Sequence, residues 1–519
     1  MENRGSALSA RHGTAIRLSD HFSLGRLVRF TLPSIIMLVF TSVYGVADGF
    51  FVSNFVGKTE FTAVNFIMPF LMILGSVGFM FGTGGGALIG KLLGSGDRER
   101  AEGVFSLVVA ASIVCGLVLA AAECAAVRPL AAMLGAEGAM LEHCVTYARI
   151  ILSALPFFVL QYAFQCLFST AEKPKLGLYV TVAAGMTNII LDALFVAVLK
   201  TGLPGATAAT ALGQCVGGII PLVYFLRPNT SLLSLARPRF DGGALARVVT
   251  NGFSELLSNV SMSVVSILYN MQLLAYAGED GVAAYGVLMY VSLTFLAVFI
   301  GYSVGMSPVV SYHFGAGNVG ELRSLLRKNL AFISVSALAM FVSAELLGGT
   351  VARLFVGYDD ALCALTRRAF FFFSFSFLFA GFSIMGSSFF TALNSGILSA
   401  LVSFLRTLVF QVAALFCVPA HLADGRDLAL NRGGGSAVRH RHRHAACAQQ
   451  KAVPVLSGDA VWIFLPAVRS LCVPSGGMPL LAQAEFRSTA RSKAQITRMT
   501  RGMRHNHADV RRHRRKELF

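Results

Sequence analysis

The sequence predicts an all-α protein that crosses a bilayer many times, built as two six-helix lobes about a pseudo-twofold axis along the membrane normal. Three observations predict this. First, the 519 residues are 55% hydrophobic and only 13% charged, against about 25% charged in soluble domains. Second, apolar runs near the roughly 20 residues that a 30 Å hydrocarbon core demands recur along the chain. Third, the chain matches itself at one constant shift, the shift that sets Leu24 on Leu245.

The first run covers residues 31–53. Others follow at about 61–90, 103–122, 145–168, 177–199, 205–226, 252–276, 282–311, 329–349, 366–390 and 396–419, which makes eleven. Residues 1–21 are polar, carry Arg4, Arg11 and Arg17 and lack an apolar signal core, so they read as a cytoplasmic tail. With that end inside, seventeen Lys and Arg of the membrane body face the cytoplasm and seven face out, as the positive-inside rule requires. The expected divisions are a first lobe at 22–226, a cytoplasmic linker at 227–244, a second lobe at 245–419 and a tail at 420–519. The cysteines show no CxxC pair and lie mostly in apolar runs, so they read as reduced packing residues.

The net charge of +17 would suggest a nucleic-acid partner if it were spread over the chain. It is not: residues 421–519 hold 18 Lys and Arg against 6 Asp and Glu. The body is nearly balanced, and no nucleic-acid partner is expected. A repeat of the sixth run should fall at 426–447, where the chain reads RDLALNRGGGSAVRHRHRHAAC. No helix with that charge sits in lipid. A twelfth span is therefore missing, and the expected cause is a reading-frame change near Pro419. The alternative is a basic tail that binds anionic lipid.

The self-match sets Leu24–Val28 on Leu245–Val249, Gly94–Asp97 on Gly315–Asn318 and Thr170–Ala171 on Thr391–Ala392, with no gap. Six spans separate the copies, so both halves share one orientation, an arrangement typical of alternating-access transporters. The glycine-rich run at 82–96 is not a nucleotide loop, because no strand precedes it. Its Gly82, Gly86, Gly90 and Gly94, and the partners Ser303, Ser307, Ser311 and Gly315, form small-residue stripes for close helix packing.

Acids inside spans need a reason, since an ionised Asp near mid-membrane costs about 2.5–3.5 kcal/mol on insertion scales. Asp48 and Asp192 both fall in the outer halves of their spans. Asn188 lies four residues before Asp192, on the same helix face, and Thr210 on the sixth span reaches a similar depth. These four groups form a candidate cation or proton site; a structural hydrogen bond is the plain alternative for Asp48. Glu255 and Arg406 are the remaining intramembrane charges and read as a second-lobe ion pair. His12, His21, His143 and His313 share no metal-like spacing, and no His/Asp or Ser/His pair suggests a membrane-embedded enzyme.

The pattern VADGFFVSNFVG at 46–57, the loop GSGDRERA at 94–101, NIILDALF at 188–195 and the duplicated half resemble the multidrug and toxic compound extrusion (MATE) family, over about residues 22–419. The resemblance implies an inner-membrane efflux transporter without cofactor or catalytic site. It would exchange small amphipathic or cationic drug-like compounds for H⁺ or Na⁺, act as a monomer in the lipid bilayer, and hold its cation at Asp48, Asn188, Asp192 and Thr210. A flippase for lipid-linked saccharides, of related architecture, is the rival; it predicts several cavity-lining cations, and only Arg406 qualifies.

Overall fold

A computed structural model describes residues 16–133, 136–236, 240–357, 359–412 and 415. Eleven helices follow one another: α1 Leu24–Phe51, α2 Lys58–Ser95, α3 Arg98–Met133, α4 Gly138–Ser153, α5 Leu155–Thr170, α6 Pro174–Asp192, α7 Leu203–Leu226, α8 Gly242–Ala316, α9 Val319–Val356, α10 Asp360–Ala392 and α11 Gly396–Phe404. Turns of π-helix continue α1 (Val52–Val56), α6 (Ala193–Val198) and α11 (Leu405–Val409). Among the described residues, eight helices are long and apolar enough to cross a membrane, or nine if α4 and α5, bent by 59°, count as one. The bend falls where Pro156 opens α5 with no N–H to give.

The helix α8 contains two of the expected runs. Its 75 residues, laid straight at 1.5 Å each, would be roughly 110 Å long. Instead Val248 and Ser311 both lie against α2, and the Tyr269 and Tyr285 rings stack at 5.5 Å, so the chain goes out and returns. The tail and the proposed frame change fall outside the described residues.

The helices α1, α8 and α9 begin well before their apolar runs do. Polar caps start them: the Ser23 hydroxyl accepts the Arg26 N–H at 3.3 Å, Asp241 the Ala244 N–H at 2.9 Å, and Asn318 the Glu321 N–H at 3.1 Å. Hydropathy marks the length that lipid covers, whereas the backbone ladder runs on through polar turns to the cap.

The repeat is present, with one correction to the gap-free register. The left-handed caps Gly96 (φ 86°) and Gly317 (φ 73°) stand in the register read from sequence. The later turns do not. Glu172 and Asn394 share φ 59° and one bonding pattern, Glu172 N–H to Ser169 O with Lys173 N–H to Phe168 O, and Asn394 N–H to Thr391 O with Ser395 N–H to Phe390 O. That pairing sets Glu172 on Asn394 rather than on Leu393, a slip of one position. The starts of α3 and α9, Arg98 and Val319, keep the first register, whereas those of α4 and α10, Gly138 and Asp360, already have the slipped one. The extra residue enters between them, where α9 runs to 38 residues against 36 in α3.

The lobes meet along a seam of α2 and α8, at the end of the bundle where α1 and α8 begin, here called the base. A Cβ on Gly94 would strike the carbonyl of Tyr312; one on Gly315, the repeat counterpart of Gly94, would strike the carbonyl of Lys91, the counterpart of Tyr312. Gly90 faces Ser311, its own counterpart, at 2.7 Å from such a Cβ. The contact is therefore isologous, as across a twofold axis, and backbones approach closely because side chains are missing. The helix starts are also exchanged. Leu27 of α1 has no exposed surface and lies in the second lobe's core with Val309, Phe314 and Leu325. Val248 of α8, its repeat equivalent, lies in the first lobe's core with Phe105, Phe164 and Phe225.

Candidate functional site

Far from the base, α1 and α6 each change from α- to π-helix just past an acid. Asp48 is one turn before the π-turn of α1, and Asp192 is the last α-helical residue of α6; single π-turns concentrate at functional sites. Thr210, in the second turn of α7, donates its hydroxyl to Asp48 Oδ1 at 2.9 Å and accepts from Asn188 Nδ2 at 3.4 Å. Asp48, Asn188 and Asp192 are 7%, 2% and 0% exposed. The four residues named from sequence thus lie together.

Their arrangement leaves acceptors open. The two carboxylates are electrostatic neighbours. Yet neither oxygen of Asp192, nor Asn188 Oδ1, has a donor of good geometry among the described residues. Two buried acids at close range repel unless a proton or cation lies between them, and carboxylate, amide and hydroxyl oxygens are the hard donors that suit an ion such as Na⁺. No group of three or more His, Cys, Asp or Glu that could hold a metal occurs among the described residues.

Two tyrosines join the site that sequence reasoning did not name. Tyr147 of α4 is 2% exposed and faces both carboxylates electrostatically. Its hydroxyl reaches the sulfur of Met68 at 3.9 Å, a weak acceptor at a long distance. Tyr44 lies one turn before Asp48 and beside Gln161 of α5. Its i, i+4 spacing from Asp48 was a usable signal; nothing in the sequence pointed to Tyr147. Below them Gln161 Oε1, Gln214 Oε1 and both amide atoms of Gln165 are buried without partners among the described residues.

Glu255 and Arg406 are brought near one another but not into contact. Each is the other's charged neighbour, and no ion pair within 4.0 Å joins them among the described residues. Arg406 Nε is buried without a partner. Glu255 also faces Cys166 of α5, which places it at the boundary between lobes.

Comparison with known proteins gives a consistent result. The MatE family model matches residues 33–194 and 256–416. The multidrug export protein MepA of Staphylococcus haemolyticus is 24% identical over 330 residues, 63% of this chain and 73% of that protein. Among solved structures, a crystal structure of MATE in complex with MaL6 superposes with a TM-score of 0.77 at 19% identity, over 92% of this chain and all of that one. The outward-facing conformation of a multidrug resistance MATE family transporter of the MOP superfamily gives 0.77 at 19% identity, over 92% and 99%.

Proposed function

The chain belongs to the MatE family, and from that premise we propose that it is a multidrug efflux transporter of a bacterial cytoplasmic membrane, driven by antiport of H⁺ or Na⁺. The observation that carries the coupling is the pair of buried carboxylates, Asp48 bonded to Thr210 and Asp192 with both oxygens open. A proton or Na⁺ bound there removes their repulsion, with Asn188 and Thr210 as neutral oxygen neighbours. Drug and cation favour opposite conformations, and that differential affinity couples the two fluxes.

On this reading the base is cytoplasmic, in keeping with the Lys and Arg bias of the loops. The seam then closes the cytoplasmic side and drug leaves outward. Amphipathic and cationic compounds are the substrate class, and MepA's multidrug export supports it. Proteoliposomes holding the full chain, given a proton or a sodium gradient separately, test the proposal by efflux of a fluorescent cationic dye. Efflux under one gradient, lost in Asp48→Asn and Asp192→Asn, is the expected result. Full gradient-driven efflux in both variants would make the carboxylates structural.

A further inference from the structure

The segment 16–23 ahead of α1 holds both lobes at once. The Leu18 N–H donates to Glu172 Oε1 at 2.6 Å, in the turn between α5 and α6 of the first lobe. The Phe22 N–H donates to Glu321 Oε1 at 3.1 Å, and His21 Nδ1 meets Glu321 Oε2 at 2.7 Å, on α9 of the second lobe. Lys328 donates to the Phe22 carbonyl. Leu18 and Phe22 have no exposed surface, and Phe22 packs edge-on against Phe30 and His313.

A related strap precedes α8. Leu233 is fully buried in the first lobe's core, the Ala236 N–H donates to Ser106 of α3 at 2.9 Å, and Asp241 lies 3.6 Å from Arg100. Arg100 and Glu321 are equivalent in the repeat that sets Gly96 on Gly317, so each strap is held by the third residue of the equivalent helix with the charges reversed. The two differ in chemistry. Arg100–Asp241 is half exposed and permanently charged, and the Ala244 N–H, with Arg100 adding to it, holds the Asp241 carboxyl below the usual carboxylate range. In the other pair the acid is 7% exposed and the base, a histidine, is 72% exposed.

We propose that the segment 16–23, paired with Leu233–Ala236 and Asp241 ahead of α8, is a strap that ties the lobes together at the base and locks the seam shut, with the buried Glu321 as its anchor. This rests on the base being cytoplasmic. Three groups hold Glu321: His21, the Phe22 N–H and, at 4.0 Å, Lys328, while Asp20 is tied up by Arg26 at 2.9 Å. Replacing the Glu321 carboxylate weakens all three contacts at once, whereas removing His21, which is 72% exposed, leaves Lys328 and the Phe22 N–H in place.

Ser311 is fully buried against Gly90 in the seam, so a cysteine there reports opening. The full chain carrying S311C, in inside-out vesicles, is labelled with a membrane-impermeant maleimide, and the same vesicles without S311C give the background of native cysteines. At one fixed pH, labelling of S311C is expected to be slow. E321Q should raise the rate about tenfold, the size of one bond to a charged group, and H21A by less, since His21 is largely exposed. Unchanged rates in both E321Q and H21A would overturn the strap. Labelling confined to right-side-out vesicles, with the E321Q increase intact, would overturn the topology alone.

Discussion

The two lobes share a backbone plan and keep their buried polarity in different places. In the first lobe it lies far from the base as two acids, an amide and a hydroxyl with acceptors to spare. In the second it lies near the base as hydroxyls that satisfy one another: Ser387 bonds Ser399 at 2.9 Å and Ser403 at 2.7 Å, and Thr391 bonds Ser399 at 2.7 Å. In both lobes a hydroxyl pair joins the first helix to the one that carries the later turn, Ser34 to Ser169 at 3.0 Å and Ser254 to Thr391 at 3.4 Å. Around it the residues diverge. Where the second lobe has Ser387, Ser399 and Ser403, the first has, in the register of those later turns, Gln165, Gly177 and Thr181, and the Gln165 amide is unpartnered among the described residues. A closed hydroxyl cluster fixes helices; an open set of acids can change its charge. On the proposed mechanism the coupling acids belong to the first lobe, while this hydroxyl cluster of the second lobe is scaffold.

The largest effect should come from removing one acid. Asp48→Asn or Asp192→Asn is expected to cut gradient-driven efflux by at least about a hundredfold in a chain that still folds, since on the proposed mechanism the charge state of these intramembrane acids couples the fluxes; dye efflux with a thermal melt checks it. Equal loss on replacing Ser399 by Ala would erase the contrast between lobes. Next, Thr210→Val removes both side-chain bonds at the site, about 1–3 kcal/mol of cation affinity where one partner is charged. It should shift the half-saturating pH or Na⁺ concentration without lowering the maximal rate.

A smaller effect tests whether the open charge couple of the second lobe acts as a unit. Glu255→Arg combined with Arg406→Glu should restore more efflux than either single change, by about 0.5–3 kcal/mol of coupling energy; three equally inactive variants would remove it. The smallest concerns the hydroxyl cluster. Ser387→Ala or Ser403→Ala should lower detergent-solubilised stability by about 0.6 kcal/mol, the average for hydrogen bonds between membrane helices, and leave the pH profile of efflux where it was.

Much of this contrast was legible in the sequence. The apolar runs marked the helices, because lipid demands length, and the acids Asp48 and Asp192 stood out because lipid penalises charge. Thr210 and Asn188 followed from depth and spacing. The slip of one position in the repeat escaped because Thr170–Ala171 and Thr391–Ala392 happen to match at the unslipped shift as well. Tyr147 escaped because a tyrosine in an apolar helix carries no signal until its neighbours are known. The straps escaped for a different reason: Glu172, Glu321 and His21 are commonplace loop and cap residues, and only the fold brings positions 154 and 300 residues apart into one bond.

The pairing of Gly90 with Ser311 bears on how such a chain came to be one chain. A dimer of separate, identical halves would have to put the same residue on both sides of the axis. Glycine twice leaves a hollow, and serine twice forces two side chains into the space of one, since a single added Cβ already comes within 2.7 Å. Only after duplication can one copy keep the small residue while the other fills the gap. The seam therefore carries a mark of divergence between the copies: its halves match as lock and filler, which no self-paired identical ancestor is free to do.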